Sequence, residues 1–304
     1  MIDFQKMDLD RREDYYRFVT RYGAERGCEY AFTNLVLWGR QRVARVGEHI
    51  VFFSQFEKRT VYPYPLGHGD VRPALEAIIA DARERGILCR LSGMSPAHCM
   101  ELEELYPGKF RFYPDRDSCD YVYKVEDLAG LKGRKFQKKR NHLNKFRENH
   151  PNCRVVELRL ENLDLARELA DDWYAHRLAL DPQGDYHLEQ RALRRAFKRW
   201  EALAMEGVAL MEDGVCIAFT MGSPLAGNTF DIHFEKARED VDGAYNAINQ
   251  AFAAHLQAKY PTLQYLNRED DMGIPGLRQA KLSYNPDHLV VKFWARLWED
   301  DDAD

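Results

Sequence analysis

With 304 residues, 45% of them apolar, the chain has material for two cores of ordinary size. A net charge of −5 excludes a surface that binds polyanions indiscriminately, yet leaves room for a local basic patch. Six scattered cysteines without a C-x-x-C pair, no signal-peptide run, and no apolar stretch near the roughly 18 residues that span a bilayer set the expectation: a cytoplasmic protein with reduced thiols, no zinc or other metal site and no transmembrane segment.

In chain order, residues 8–22 read as a helix that turns Tyr16 and Val19, or Tyr15 and Phe18, inward. Tyr30 to Trp38 is aromatic and apolar, fit for a buried helix or a strand edge. Gln41 to Val46, His49 to Ser54 and Thr60 to Tyr64 alternate as strands do, and Gly47-Glu48 joins the first two with hairpin spacing. Val71 to Arg85 predicts an amphipathic helix with Val71, Leu75, Ile78, Ile79 and Ala82 as its stripe and Gly86 at its end. A short strand (Ile87 to Leu91), a short helix (Pro96 to Leu105) and two strands (Phe110 to Pro114, Cys119 to Val125) follow. Hairpins and helices around one sheet make the class α+β.

Residues 133–149, GRKFQKKRNHLNKFREN, form the most basic stretch. Arg134, Lys138, Lys139 and Arg140 are its candidates for gripping a phosphate backbone, since each neutralised phosphate releases condensed counterions. The plain alternative is a solvated helix face.

Arg154 to Leu160 reads as a strand, and Leu163 to Leu180 as a helix with Leu165, Leu169 and Trp173 inward, stopped at Asp181-Pro182. The helix expected over Leu188 to Met205 packs Leu193, Phe197 and Trp200, and carries Arg191, Arg194, Arg195, Lys198 and Arg199 on its other side. Val208 to Met211 and Val215 to Gly222 flank Asp213-Gly214 as a hairpin. Thr229 to Phe234 is a strand, and the helix Ala244 to Lys259 is expected to bury Tyr245, Ile248, Phe252 and Leu256. Leu263 to Leu266 and Leu289 to Trp298 complete the second sheet, and the acidic tail 299–304 is expected to fray.

Function concentrates in Leu266 to Pro286, LNREDDMGIPGLRQAKLSYNP. A strand end runs into Asn267, Arg268, Glu269, Asp270 and Asp271. Pro275 fits the first position of a helix, whose face then carries Arg278 and Lys281 three residues apart. Those two cations repel unless something negative is near: either the acids just before them or an anionic substrate group.

This stretch resembles the C-terminal catalytic domain of phosphatidylglycerol lysyltransferase and its soluble relatives, whose signature reads N-R-E-x-D-x-G then L-R-x-x-K-x-x-Y-x-P. Asn267, Arg268, Glu269, Asp271, Gly273, Leu277, Arg278, Lys281, Tyr284 and Pro286 match in order. The YAFTNLVLWG segment near the N-terminus and Phe234 to Ala237 carry weaker likeness, and Lys138 to Asn141 resembles a segment of Fem-type transferases. The resemblance implies two tandem acetyltransferase-like (GNAT) lobes, each a mixed, mostly antiparallel sheet flanked by helices. The expected boundaries are 1–127 and 128–304, with the basic segment 133–149 between the lobes.

The resemblance also implies an aminoacyl-tRNA donor and no resident cofactor. Expected partners are tRNA and a small-molecule, peptide or lipid-headgroup acceptor; the family's lipid-modifying enzymes carry a large membrane-embedded segment before this domain, and none is expected here. Transfer from an ester needs positioning, a cation near developing negative charge, and a route for the nucleophile's proton. Lys281 and Arg278 are assigned the cationic role, and Glu269 or Asp271 the α-ammonium or the proton. Asn267, Arg268, Asp231, His233, Glu235, Asn249 and Tyr284 are the candidates for binding substrate. Two other readings stand beside this one. A coenzyme-A-dependent N-acyltransferase would have to accept the acidic turn AREDVDGAYN, where Glu239, Asp240 and Asp242 repel pyrophosphate and Asp242 can cap the helix. The other is a non-catalytic binding module.

Overall fold

The computed structural model describes residues 1–22, 27–38, 41–56, 59–184 and 186–298. The expectation for the tail 299–304 lies outside the described residues. The chain begins with α1 (Arg12–Tyr22), α2 (Phe32–Leu37), β1 (Gln41–Val46), β2 (His49–Phe56), β3 (Arg59–Pro63) and β4 (Leu66–Gly67). Next come α3 (Arg72–Glu84), β5 (Arg90–Met94), α4 (Pro96–Leu105), β6 (Phe110–Pro114) and β7 (Asp120–Lys124). Then follow α5 (Val125–Gly130), α6 (Gln137–Asn149), β8 (Arg154–Glu157), α7 (Leu163–Leu180), α8 (His187–Lys198), β9 (Glu206–Glu212) and β10 (Val215–Ala226). The last elements are β11 (Thr229–Ala237), α9 (Ala244–Lys259), β12 (Tyr265–Asn267), α10 (Pro275–Leu282), β13 (His288–Val290) and β14 (Phe293–Leu297).

The chain divides into two compact units. The first is Met1–Asp120 with Asp270–Pro275 and Leu289–Asp304; the second is Tyr121–Glu269 with Gly276–His288. In the first, strands run in the order β1-β2-β3-β5-β14-β6, with β4 on β2. Only β3 and β5 pair in parallel among these neighbours. The β1–β2 hairpin closes where Val46 faces His49, and Gly47 takes φ +58°, as a two-residue turn of the II′ kind requires at its first position. The stripe of α3 packs Leu75, Ile78 and Ala82 onto Val51, Tyr62, Leu91, Met94 and Ala295. Each large apolar side chain so buried is worth about 1.5–3 kcal/mol.

The second sheet runs in the order β13-β7-β12-β11-β10-β9-β8; β11 and β12 are parallel, and β7–β12, β10–β11, β9–β10 and β8–β9 are antiparallel. The α+β class therefore holds, with mixed, mostly antiparallel sheets. Two strands differ from expectation. Leu289 to Trp298 is divided: β13 stands at the edge of the second sheet, next to β7, whereas β14 lies between β5 and β6 of the first. β7, expected to belong with the preceding strands, pairs with β12. The division therefore falls at 120/121 rather than 127/128, and the last strand returns to the first unit.

Smaller differences have local causes. The helix expected to reach Met205 ends at Lys198, and Ala204 at φ +49° turns the chain toward β9. In α7 the buried residues are Leu163, Ala166, Leu169, Ala170 and Tyr174, so the inward face is rotated away from Leu165 and Trp173. In α9, Ala244, Ala247, Ile248, Phe252, Ala253 and Leu256 are buried, while Tyr245 is exposed. Small alanines let α9 lie close against the sheet, and the bulky tyrosine is left outside.

Candidate functional site

Parallel pairing puts Asp231 of β11 opposite Asn267 of β12. There β12 stops and β11 continues, so Arg268 and Glu269 leave the sheet beside a strand that still carries His233 and Glu235. Asn267 is buried and organises the exit: its side-chain oxygen accepts the Glu269 N–H at 2.7 Å. Glu269 takes φ +57°, a conformation seldom adopted by a residue with a side chain. Opposite this point β10 bulges at Gly222, where an added Cβ would stand 2.0 Å from the Asp231 carbonyl oxygen. The bulge sets Ser223 beside His233: Ser223 Oγ lies 2.8 Å from His233 Nε2, and His233 Nδ1 lies 3.1 Å from Glu269 Oε1 and 3.6 Å from Asp231 Oδ2. The connectivity is that of a hydroxyl, an imidazole and an orienting carboxylate. Ser223, however, is 1% exposed, so its hydroxyl fixes the imidazole rather than meeting a substrate. Asp231, His233 and Glu269 also bring potential metal-ligand atoms within 4.8 Å of one another.

A second constellation lies further along the same strands. Arg268 Nη2 donates to Glu235 Oε1 at 2.9 Å, with each side chain 13% exposed. Asn249, buried on α9, donates to Glu235 Oε2 at 3.3 Å. Two polar atoms here have no hydrogen-bond partner among the described residues, Arg268 Nη1 and Asn249 Oδ1. Tyr284 closes one side; its hydroxyl donates to Asn246 Oδ1 at 2.7 Å, and its ring centroid is 5.1 Å from the Arg268 guanidinium. Lys139 of α6 places its ammonium 3.6 Å from the same ring centroid. Burial lowers the Lys139 pKa, Arg268 lowers it further, and Glu235 opposes both; the outcome is about 8. Burial alone would lower the pKa of Arg268 as well, but Glu235 outweighs it and the guanidinium stays charged. Two cations thus share one carboxylate, and the recess carries an excess of positive charge.

The remaining candidates are placed differently. Lys281 is buried and points inward, donating to the backbone carbonyls of Arg268 and, at 3.1 Å, of Glu269. Its ammonium staples the strand exit, whereas the Lys139 ammonium and the Arg268 guanidinium line the recess at Tyr284. Tyr123 supports that staple from β7 by donating to the Lys281 carbonyl at 2.8 Å. Arg278 is half-buried on α10, which does begin at Pro275. Asp271 belongs to the first unit, where it is fully buried, pairs with Arg116 at 3.2 Å and accepts the Gly273 N–H. In the basic segment, Lys135 pairs with Asp127 at 2.8 Å, Lys145 with Asp242 at 2.8 Å, and Arg140 caps the carbonyls of Leu131 and Gly133. Arg134 and Lys138 are exposed, while Lys139 turns into the recess.

Residues 20–296 match the family described as phosphatidylglycerol lysyltransferase, C-terminal. The chain belongs to that family. A conserved protein of unknown function from Bacteroides thetaiotaomicron is similar at 35% identity over 98% of this chain and 100% of its own, with a TM-score of 0.92. L-PGS from Bacillus licheniformis shares the fold at 15% identity over 93% of this chain and 91% of its own, TM-score 0.65. FemX shares it at 10% identity, 96% and 97% coverage and TM-score 0.57. An uncharacterised protein of Mycoplasmoides gallisepticum is 23% identical over 59% of this chain, and the match spans 56% of that relative's length. The architecture is that of tandem acetyltransferase-like proteins.

Within this family member, the signature residues divide their work. Asn267 and Lys281 shape the strand exit, and Arg268 and Tyr284 build the recess. Sequence reasoning missed Ser223 and Tyr123, which only strand register brings to His233 and Lys281. It also missed the burial of Lys236, whose ammonium sits 3.7 Å from the Trp173 ring centroid and 2.8 Å from Glu189. The acidic turn before α9 is less hostile to phosphate than its sequence implies. Glu239 pairs with Arg177, Asp240 with Arg238 and Asp242 with Lys145, and the helix cap is Gly243, with no side-chain cap from Asp242. No helix among the described residues is long and apolar enough to cross a membrane.

Elsewhere, in the first unit, Lys292 is buried between Asp120 at 2.7 Å and Glu29 at 2.6 Å, with Cys28 Sγ at 3.9 Å. Burial opposes its charge, but Asp120, Cys28 and Glu29 together raise its pKa well above the lysine range. Cys28, Glu29 and Asp120 also form a possible metal-ligand group, and the ammonium already supplies their countercharge.

Proposed function

We propose that the chain is an aminoacyltransferase that moves an aminoacyl group from aminoacyl-tRNA to an amine or hydroxyl acceptor. The observation that carries the reading is the Arg268–Glu235 pair with open valences on Arg268 Nη1 and Asn249 Oδ1, beside a lysine whose pKa is about 8. Glu235 and Asn249 Oδ1 hold the α-ammonium of the aminoacyl group. Arg268, charged throughout the working range, faces the oxygen that becomes negative as the ester carbonyl is attacked. Lys139, neutral in an appreciable fraction near its pKa, accepts the nucleophile's proton and returns it to the leaving ribose oxygen. A C–N or C–O bond forms to the acceptor and the C–O bond to ribose breaks, so no oxidant or nucleoside triphosphate is needed.

Membership of a lysyltransferase domain family supports a transferase. The uncapped glycine start of α9, with its acids paired, keeps coenzyme-A-dependent acyl transfer as the second reading. The deciding experiment incubates the protein with tRNA charged by labelled amino acids and a cell extract as acceptor source. Label should leave RNA for a new product with wild type and not with Arg268→Ala. Equal transfer by that variant, or no transfer from any charged tRNA, would reject the proposal. Label transferred from acyl-coenzyme A instead would install the second reading.

A further inference from the structure

The amphipathic helix α8 buries Ala192, Leu193, Ala196 and Phe197 and turns a basic face outward. That face lines a groove of about 440 Å³ formed by His187, Gln190, Arg191, Arg194, Arg195 and Lys198. Its members fall in two rows four residues apart, one through 187, 191 and 195 and the other through 190, 194 and 198, a repeat of about 6 Å along the axis. That repeat is comparable to the distance between successive phosphates of an extended strand. Arginine predominates, and its planar fork suits phosphate oxygens.

Three cations of this face, Arg191, Arg194 and Lys198, are exposed. Glu189 is turned inward to Lys236 at 2.8 Å. Arg194 reaches Asp171 only at 3.4 Å, and both side chains are exposed. Burial lowers the pKa of Arg195, and the neighbouring charges of Arg191 and Arg199 lower it further. Like charges four residues apart cost a helix a few tenths of a kcal/mol per pair. On a chain of net charge −5, such a concentration does not follow from composition. The basic segment 133–149 contrasts with it, because Lys135, Arg140 and Lys145 are spent on Asp127, on backbone carbonyls and on Asp242.

We infer that α8, rather than the 133–149 segment, is the surface that docks the phosphodiester backbone of RNA. The choice of RNA as the polyanion rests on the aminoacyl-tRNA reading above; the site itself does not. A membrane surface fits less well: an interfacial helix needs an apolar face to insert, and the apolar face of α8 is already buried in the protein.

The test measures binding of uncharged bulk tRNA by full-length protein across a salt series. Arg191, Arg194 and Lys198 are exposed, so Arg191→Glu/Arg194→Glu/Lys198→Glu should keep the wild-type melting curve. It should weaken binding at least about tenfold at 0.1 M salt and flatten the salt slope by about 3. Arg134→Glu/Lys138→Glu should change both far less. The Gln versions of the α8 triple are the fallback if the reversal disturbs folding. Equal loss from the two sets, unchanged binding by the α8 variants, or no tRNA binding by wild type would each overturn the inference. So would α8-dependent binding to vesicles of equimolar phosphatidylcholine and phosphatidylglycerol without RNA binding. Because uncharged tRNA needs no transfer step, a protein that binds through α8 but transfers nothing would refute the proposed reaction and leave this surface standing.

Discussion

Replacing Lys139 by Met tests the excess of positive charge in the recess. Methionine keeps an unbranched side chain against the Tyr284 ring and removes the ammonium. The fall from the ordinary lysine value of 10.5 to about 8 corresponds to ~3 kcal/mol of disfavoured charge, at about 1.4 kcal/mol per factor of ten. Lys139 is only half-buried, and water screens such a charge, so ~1–2 kcal/mol should reach the folding equilibrium. Arg268 and Glu235 are the charged groups that act on it. The folded state binds this proton less tightly than the unfolded chain, so the penalty is complete below about pH 8 and fades as pH rises toward 10.5. Lys139→Met should therefore melt ~2–8 °C above wild type at pH 7, and the gap should close in buffers near pH 10. Denaturation at several pH values reads both effects. A variant less stable than wild type, or a gap independent of pH, would show that Lys139 is not held against Arg268 as described.

Two further substitutions separate structural from chemical roles. Lys281→Met removes the donor shared by the Arg268 and Glu269 carbonyls and should cost about 2–4 kcal/mol in urea denaturation; a loss of transfer at unchanged stability would restore a direct chemical role for Lys281. Lys292→Met leaves Asp120 and Glu29 buried without their cation and should cost about 3–5 kcal/mol. Because the Lys292 pKa is raised on folding, the wild-type advantage should be complete below the unfolded lysine value and disappear only at strongly alkaline pH. An unaltered melting temperature at pH 7 would count against the buried cluster.

The sequence showed local order well and partner choice poorly. Alternation found the β1–β2 hairpin, and Pro275 marked the start of α10, because both depend on neighbouring residues. Spacing put Lys281 beside Arg278 on a supposed outer face. What turns Lys281 inward is a pair of carbonyls at a strand end, which periodicity does not register. Lys139 looked like any cation of a basic helix until Tyr284, far along the chain, roofed it. Arg140 looked like a ligand for phosphate and instead completes its own helix start. Glu235, Arg268, Asn249 and Tyr284 were legible as a group because a strand alternation, a helix face and a signature all pointed at one strand end. Ser223 was not, because a bulge in β10 decides which residue meets His233.

The placement of β14 between β5 and β6 bears on how the protein is made. This interior member of the first sheet is made long after both of its neighbours, so until it has left the ribosome β5 and β6 each present an unpaired edge, the kind that invites aggregation. A polypeptide cut after residue 127 would keep that vacancy permanently. Separate expression of the two halves should therefore yield insoluble first halves, which soluble product appears only when the C-terminal strand is supplied alongside.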